Sequence, residues 1–313
     1  MRTWSRFVIN YVVGTRKRVK LIKNNSISSY TVEEETTLLP YLLKNLNKSR
    51  NATKSILTRG QVSVDGQVIT QHNHPLMPGQ IVGILSNEAS IRLSELIGIN
   101  IVYEDSSIIV INKEAGILSM AASRSKDFDA YRQLTDYVKK EKRSNRIYIV
   151  HRLDRATSGV MVYAKSEEVK LKLQDNWHDV VKERTYSAVV EGVVKDEEGT
   201  VSSYLKETEG MRVYSTQDKK LGKHAVTHYK KLGGNDNYTL LQVELETGRK
   251  NQIRVHMQDI GHPVVGDRKY GAPDSPIRRL ALHATTLSFI HPVTDKLVRY
   301  TVQPPQTFLQ LIK

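Results

Sequence analysis

The sequence predicts an α+β protein: a large, mainly antiparallel sheet preceded by a small, basic α/β module. Three observations carry this. The chain has 313 residues, more than one hydrophobic core usually serves. From about Asn100 onward, β-branched and alternating runs dominate, without the regular strand–helix alternation of a doubly wound sheet. Residues 31–60 instead space their leucines helically on a strongly basic background.

Residues 1–30 read as a basic N-terminal extension, with two short strands around Gly14-Thr15 and a turn-like KNNSISS. Residues 31–88 form the module. Leu39, Leu42, Leu43 and Leu46 share one helical face, and a second helix runs from about Asn51 to Thr58 with Gly60 as its stop. The opposite face carries Lys48, Arg50, Lys54 and Arg59. QVSVDGQVIT alternates around Asp65-Gly66, a hairpin signal, and LMPGQIVGIL adds a turn and a strand. Residues 89–99 read as a linker.

Residues 100–313 form the second unit. INIVYEDSSIIVINKEAGIL reads as two strands joined at Glu-Asp-Ser-Ser. Further strands are expected in RTYSAVVEGVV, HAVTHYKKLG, NYTLLQVELETG and ALHATTLSFIHP. Helices are expected only near Asp129–Lys140, Ser166–Asp175 and Asn251–Ile260.

The formal net charge is +14. Residues 1–60 hold 12 Lys/Arg against 3 Glu, so +9 of it lies in the first fifth. That asymmetry points to a polyanion partner, nucleic acid first, although an unstructured basic tail has the same composition. There are no cysteines, which excludes disulfides, thiolate metal sites and a cysteine nucleophile, and fits a reducing, cytoplasmic setting. No apolar run approaches the ~18–20 residues of a membrane span, and no signal-peptide core follows the basic start. Neither a Gly-Lys-[Ser/Thr] loop nor a Gly-x-Gly-x-x-Gly fingerprint is present.

Three stretches concentrate chemistry-bearing residues. The first is HRLDRATSGVMVYAK (151–165), where Asp154 lies between Arg152 and Arg155, before a turn and an apolar run. An aspartate there is ordinarily a turn residue. The second is KERTYSAVVEG, with Lys182, Arg184 and Tyr186. The third is LETGRKNQIRVHMQDIGHPVVGDRKYG. Gly248 permits an unusual backbone angle, a helix follows with Ile253, His256, Met257 and Ile260 on one face, and Gly261 stops it. Arg249 and Arg254 lie off that face, free to meet a carboxylate or phosphate; a surface-charged amphipathic helix has the same spacing.

Two resemblances join these pieces. LLKNLNKSRNATKSILTRGQVSVDGQVI resembles the S4 RNA-binding module, which implies that Lys48, Arg50, Lys54 and Arg59 face structured RNA. HRLDRATSG resembles the His-Arg-Leu-Asp-x-x-Thr-Ser-Gly signature of RluA-type pseudouridine synthases. ERTYSAVVEG, TGRKNQIRVH…GHPVVGDRKYG and ALHATTLSFIHP resemble that family's later motifs in order. The likeness spans roughly residues 100–305. Two departures stand out: Asn251 replaces the histidine of His-Gln-[Ile/Leu]-Arg, and Glu114 replaces the proline of Asn-Lys-Pro-Ala-Gly.

The resemblance implies isomerisation of uridine in structured RNA, with ribosomal RNA the family's commoner substrate and transfer RNA the other, and with no cofactor and no metal. It implies Asp154 as the essential carboxylate and Arg254 as the guanidinium that keeps it ionised. Tyr186 would stack on the target uracil. Arg152 would fill the space of the flipped base, and Arg249 would contact RNA. A monomer with no membrane contact is the default. The rival readings are a non-catalytic RNA-binding factor on the same fold and a metal hydrolase built on His224/His228 or His256/His262. HAVTH lacks the glutamate of a zinc-protease helix and lies in a β-like stretch.

Overall fold

A computed structural model describes residues 27–313 except 47, 59, 60, 66, 86–95, 122–128 and 274. The strands expected around Gly14-Thr15, the helix stop at Gly60 and most of the linker fall outside the described residues.

The module has strands β1 (Ile27–Thr31), β2 (Thr36–Thr37), β3 (Val62–Val64), β4 (Gln67–Val68), β5 (Pro75–Leu76) and β6 (Ile81–Leu85), with helices α1 (Leu38–Asn45) and α2 (Arg50–Thr58). The order β1-β6-β3-β4 makes one antiparallel sheet, and β2 pairs with β5. Leu38, Leu39 and Leu42 of α1 meet Ile56 and Leu57 of α2 over Val62, Val64 and Val82. Lys48, Arg50 and Lys54 are exposed. A boundary drawn at residue 31 falls at the far end of β1: Ile27–Thr31 pair with Leu85–Ile81, which places 27–30 in the module's sheet rather than in a turn.

The second unit contains β7 (Ile99–Glu104), β8 (Ile108–Lys113), α3 (Ala130–Glu141), β9 (Tyr148–Ile149), β10 (Ser158–Ala164), α4 (Glu167–Asp175), α5 (Trp177–Val180) and β11 (Val181–Glu191). Then come β12 (Glu198–Glu207), β13 (Val213–Thr216), β14 (Lys223–Gly234), β15 (Tyr238–Leu245), α6 (Gln252–Asp259), β16 (Leu282–Ile290), β17 (Leu297–Thr301) and α7 (Gln306–Leu311). Eleven strands form one mixed sheet, β13-β12-β14-β15-β11-β16-β10-β8-β7, with β17 on β16 and β9 on β10.

The fold agrees with the expected α+β class. The three expected helices form within a residue of their predicted ends, and two of the starts carry a capping signal. Asp129 accepts from the Arg132 amide and Ser166 from the Val169 amide, so both side chains cap their helices. In the second unit sequence reading passed over β9, β12, β13 and β17, and the short helices α5 and α7 add to the three that were expected. In β12 only Ser203 and Leu205 are buried, so its residues carry little apolar alternation.

β10 is buried along its whole length and pairs antiparallel with β8 but parallel with β16. The parallel ladder is only Ser158↔His283 and Gly159↔Ala284. Gly159 has φ 122°, and a Cβ there would lie 2.2 Å from the Ala284 carbonyl oxygen. Only glycine lets the strands approach this closely. Among the described residues no helix is long and apolar enough to cross a membrane.

Candidate active site

The loop 151–157 enters β10 under restraint from the stretch 113–119. Ser119 Oγ donates to the Leu153 carbonyl (2.8 Å) and accepts from the Leu153 amide (3.1 Å). Arg155 Nε donates to the Gly116 carbonyl, and the Gly116 amide donates to the Arg155 carbonyl. Lys113 Nζ donates to the Thr157 carbonyl at 2.7 Å. Residues 153, 155 and 157 are thus pinned; the side chain of Asp154 stands between the first two pins and that of Arg152 just before them. Arg152 is exposed and Asp154 half-buried. The turn expected at Asp154 also forms, through its backbone: the Thr157 amide donates to the Asp154 carbonyl.

Lys113 is fully buried, and its three N–H bonds go to the carbonyls of Glu114, Ile117 and Thr157. Burial pulls its pKa down to about 7; the Asp154 charge opposes that fall and Arg279 adds to it. Glu114 at the usual proline position has a local consequence. Its amide donates to the Gly98 carbonyl at 2.8 Å, a bond proline could not make.

Arg254 comes from α6, one hundred residues further on. Its Nη1 reaches Asp154 Oδ2 at 3.4 Å. Asp267 grips its other edge with both oxygens, at 2.6 Å from Nε and 2.8 Å from Nη2, and the Tyr270 ring lies 5.0 Å from the guanidinium carbon. Burial lowers the Arg254 pKa, but Asp267, Asp154 and Tyr270 outweigh it, and the net shift is upward. Arg254 remains a fixed cation.

Tyr186, on β11, lies within the electrostatic reach of Asp154. Burial pushes its pKa up to about 12, with Arg184 opposing and Asp154 adding, so the phenol stays protonated. Arg184 is tied to the carbonyls of Leu245 and Glu246. His151 stacks on Trp177 with centroids 4.9 Å apart, and its Nε2 accepts the Val162 amide. Burial first, and Arg184 second, bring its pKa to about 3. The ring is therefore neutral and anchors the loop.

Asp154, Arg254 and Tyr186 are thus brought together, with Arg152 on the same loop. Arg249 is exposed beside α6, its Nε on the His224 carbonyl. Lys48, Arg50 and Lys54 lie on the separate module, and Arg59 is outside the described residues. The left-handed backbone expected at Gly248 lies instead at Asn251 (φ 55°). Gly248 serves space: a Cβ there would be 2.8 Å from Arg184 Nη1. The histidines are committed separately, His256 to Ser203 and Thr227, and His262 to the Glu191 carbonyl. His224 and His228 lie on β14, on Ser202 and on Thr200 and Glu246.

Sequence reading missed Asp267, Lys113 and Tyr270, and marked Asn251 only as a departure from the family pattern. Lys113 had a visible signal, a lone lysine closing the apolar run IIVIN. Asp267 had none, since its partner lies across a helix and a turn.

Residues 107–259 match the protein family described as RNA pseudouridylate synthase. The chain is 33% identical over 257 residues to a Bacillus subtilis protein named uncharacterized RNA pseudouridine synthase YjbO, covering 81% of this chain and 90% of the relative. It is 32% identical over 318 residues to ribosomal large subunit pseudouridine synthase D of Buchnera aphidicola subsp. Acyrthosiphon pisum, covering 94% and 99%. Among solved structures, human RNA pseudouridylate synthase domain containing 4 has the same fold, with a TM-score of 0.57 at 23% identity, covering 67% of this chain and 90% of that one.

Proposed function

The chain belongs to the RNA pseudouridine synthase family, and from that premise we propose that it isomerises uridine in large-subunit ribosomal RNA, with Asp154 as its essential carboxylate. The observation that carries this reading is the meeting of Asp154 with Arg254 beside Tyr186, three groups separated by up to 100 residues in sequence. The ribosomal substrate is drawn from the name of the Buchnera relative, which aligns over nearly its whole length.

In the reaction the N1–C1′ bond breaks, the uracil turns, C5 bonds to C1′, the C5 proton leaves, and N1 takes up a proton, so product and substrate have the same atoms. No electron or group donor is consumed. Asp154 supplies the carboxylate at the reacting nucleotide. Arg254, clamped by Asp267, holds it in place and balances its charge. Tyr186 offers a flat face for the uracil and a protonated hydroxyl. The uridine reaches the pocket by leaving its stack, at a cost of a few kcal/mol offset by contacts in the pocket and along the backbone. Arg152, exposed on the same loop, takes the vacated position.

The module 31–88 supplies phosphate contacts through Lys48, Arg50, Lys54 and Arg59, and Arg249 adds one near the pocket. Such contacts position RNA without choosing the base. The catalytic unit is residues 100–313. The enzyme acts as a monomer in the cytoplasm.

The test uses in vitro transcribed large-subunit ribosomal RNA carrying tritium at uracil C5. The protein is expected to release tritium without an added cofactor, and Asp154→Asn and Asp154→Ala to release none. Equal release by all three proteins would remove Asp154 from the mechanism. Pseudouridine maps of RNA from cells with and without the protein then identify the uridine; a difference confined to transfer RNA would overturn the ribosomal assignment.

A further inference from the structure

Asn251 stands where the turn after β15 enters α6, with a left-handed backbone (φ 55°, ψ 18°). Asparagine enters that region more readily than most residues. At this position its side chain ordinarily caps the helix it precedes, yet no such bond forms. The amide is buried and used on two other side chains. Its Oδ1 accepts from Arg254 Nη1 at 3.1 Å, and its Nδ2 donates to the Tyr270 hydroxyl at 3.0 Å. A guanidinium only donates, so the oxygen must be the atom that faces Arg254.

Nη1 has two N–H bonds. One goes to Asn251 and the other reaches Asp154 at 3.4 Å. Asp267 holds Nε and Nη2. Because the guanidinium is planar, anchoring it at both edges sets the direction of the remaining Nη1 hydrogen. The ring beneath is set by the same residue: the Tyr270 hydroxyl accepts from Asn251 and from the Val213 amide at 3.3 Å.

We propose that Asn251 is a positioning residue that aims the Arg254 Nη1 hydrogen at Asp154, by accepting its twin and by fixing the Tyr270 ring below. A turn alone would need only the left-handed backbone, which glycine supplies. The two side-chain bonds go beyond that need. The inference rests on the assignment of Asp154 and Arg254 to the reaction.

The experiment compares full-length wild type, N251G, N251D and D154A by single-turnover tritium release from the same labelled transcript, alongside RNA affinity and thermal midpoint. N251G keeps the backbone accessible and deletes the side chain. Its rate is expected to fall about ten-fold or more, the scale of one lost bond to a charged group, with RNA affinity within about two-fold. N251D keeps the shape but sets a second carboxylate on Nη1, in competition with Asp154. Its rate is expected to fall too, and the acid limb of its pH–rate profile to move to higher pH, whereas that of N251G stays in place. A purely structural asparagine would lower the thermal midpoint and leave both profiles alike. Wild-type rates in N251G and N251D, with D154A inactive, would overturn the role of Asn251 and leave the catalytic assignment standing. An active D154A would instead overturn the assignment beneath it.

Discussion

Asp267 makes the sharpest prediction, because it touches no part of the proposed substrate and yet carries the frame of Arg254. Its carboxylate is 1% exposed and the arginine side chain 13%, so water compensates little when the pair is broken. Asp267→Asn preserves volume and one acceptor, but turns the other oxygen into a donor that faces an N–H. One charge-assisted bond is lost, about 1.5–3 kcal/mol, and the arginine loses its buried counter-charge. Breaking a buried pair from one side costs about 3–5 kcal/mol in total. Asp154 restores little of that, being 33% exposed and 3.4 Å away. The unfolding free energy from urea titration is therefore expected to drop by about 3 kcal/mol. At a temperature where the variant is still folded, single-turnover tritium release should fall by roughly a hundred-fold, because Arg254 is free to swing onto Asp154 or away from it. A loss under about 1 kcal/mol together with a wild-type rate would show that the clamp does not hold the site.

Three other outcomes follow from the same structure. Deleting residues 1–88 should weaken RNA binding and flatten the slope of log K against log salt, since basic phosphate contacts are lost while the pocket remains; an unchanged slope rejects a phosphate-binding role for the module. Lys113 has its pKa lowered from 10.5 to about 7, so between those values the unfolded chain holds a proton that the folded protein has released. The stability of wild type relative to K113M should therefore rise from pH 7 toward 10.5, and parallel urea midpoints at both pH values would exclude that titration. G159A brings a Cβ to 2.2 Å from the Ala284 carbonyl at φ 122° and should part β10 from β16, with a severe loss of stability; a melting temperature equal to wild type would contradict this.

The sequence carried much of the fold because its signals are local. Asp129 and Ser166 announce helix starts by capping chemistry, and the uninterrupted apolar run 160–164 announces a strand buried on both faces. It carried the site less completely. Asp154 alone is indistinguishable from a turn residue, and the structure shows it filling both roles, its carbonyl closing the turn and its carboxylate facing Arg254. The arginine lies off the apolar face of its helix, as Arg249 does, and it was the family resemblance that implied a role for it beside Asp154. Asp267 was not singled out, because nothing in Gly-Asp-Arg records that the preceding chain turns back under α6. Gly248 shows the same limit: a glycine can be read as freedom of angle or as freedom of space, and only the position of Arg184 decides for space.

The place of Asp154 in the sheet follows from the one parallel step in an otherwise antiparallel succession. An antiparallel neighbour can be reached by a tight turn, but the parallel partner of β10 comes more than a hundred residues later. The chain between them builds β11 to β15 and α6, which is how Tyr186 and Arg254 come to flank a loop so distant in sequence. The pairing lasts only two residues, and the buried polar groups gather at its end: Lys113, Thr157, Ser158 and His283. They are joined there, Lys113 to the Thr157 carbonyl, and Ser158 to His283 Nδ1 at 2.7 Å and to Arg279 at 2.6 Å. Burying such groups is costly unless each is partnered. The bonds made by Lys113, Thr157 and Ser158 also fix the entry to β10, and so the direction in which Asp154 faces, while His283 is held through Nδ1 alone.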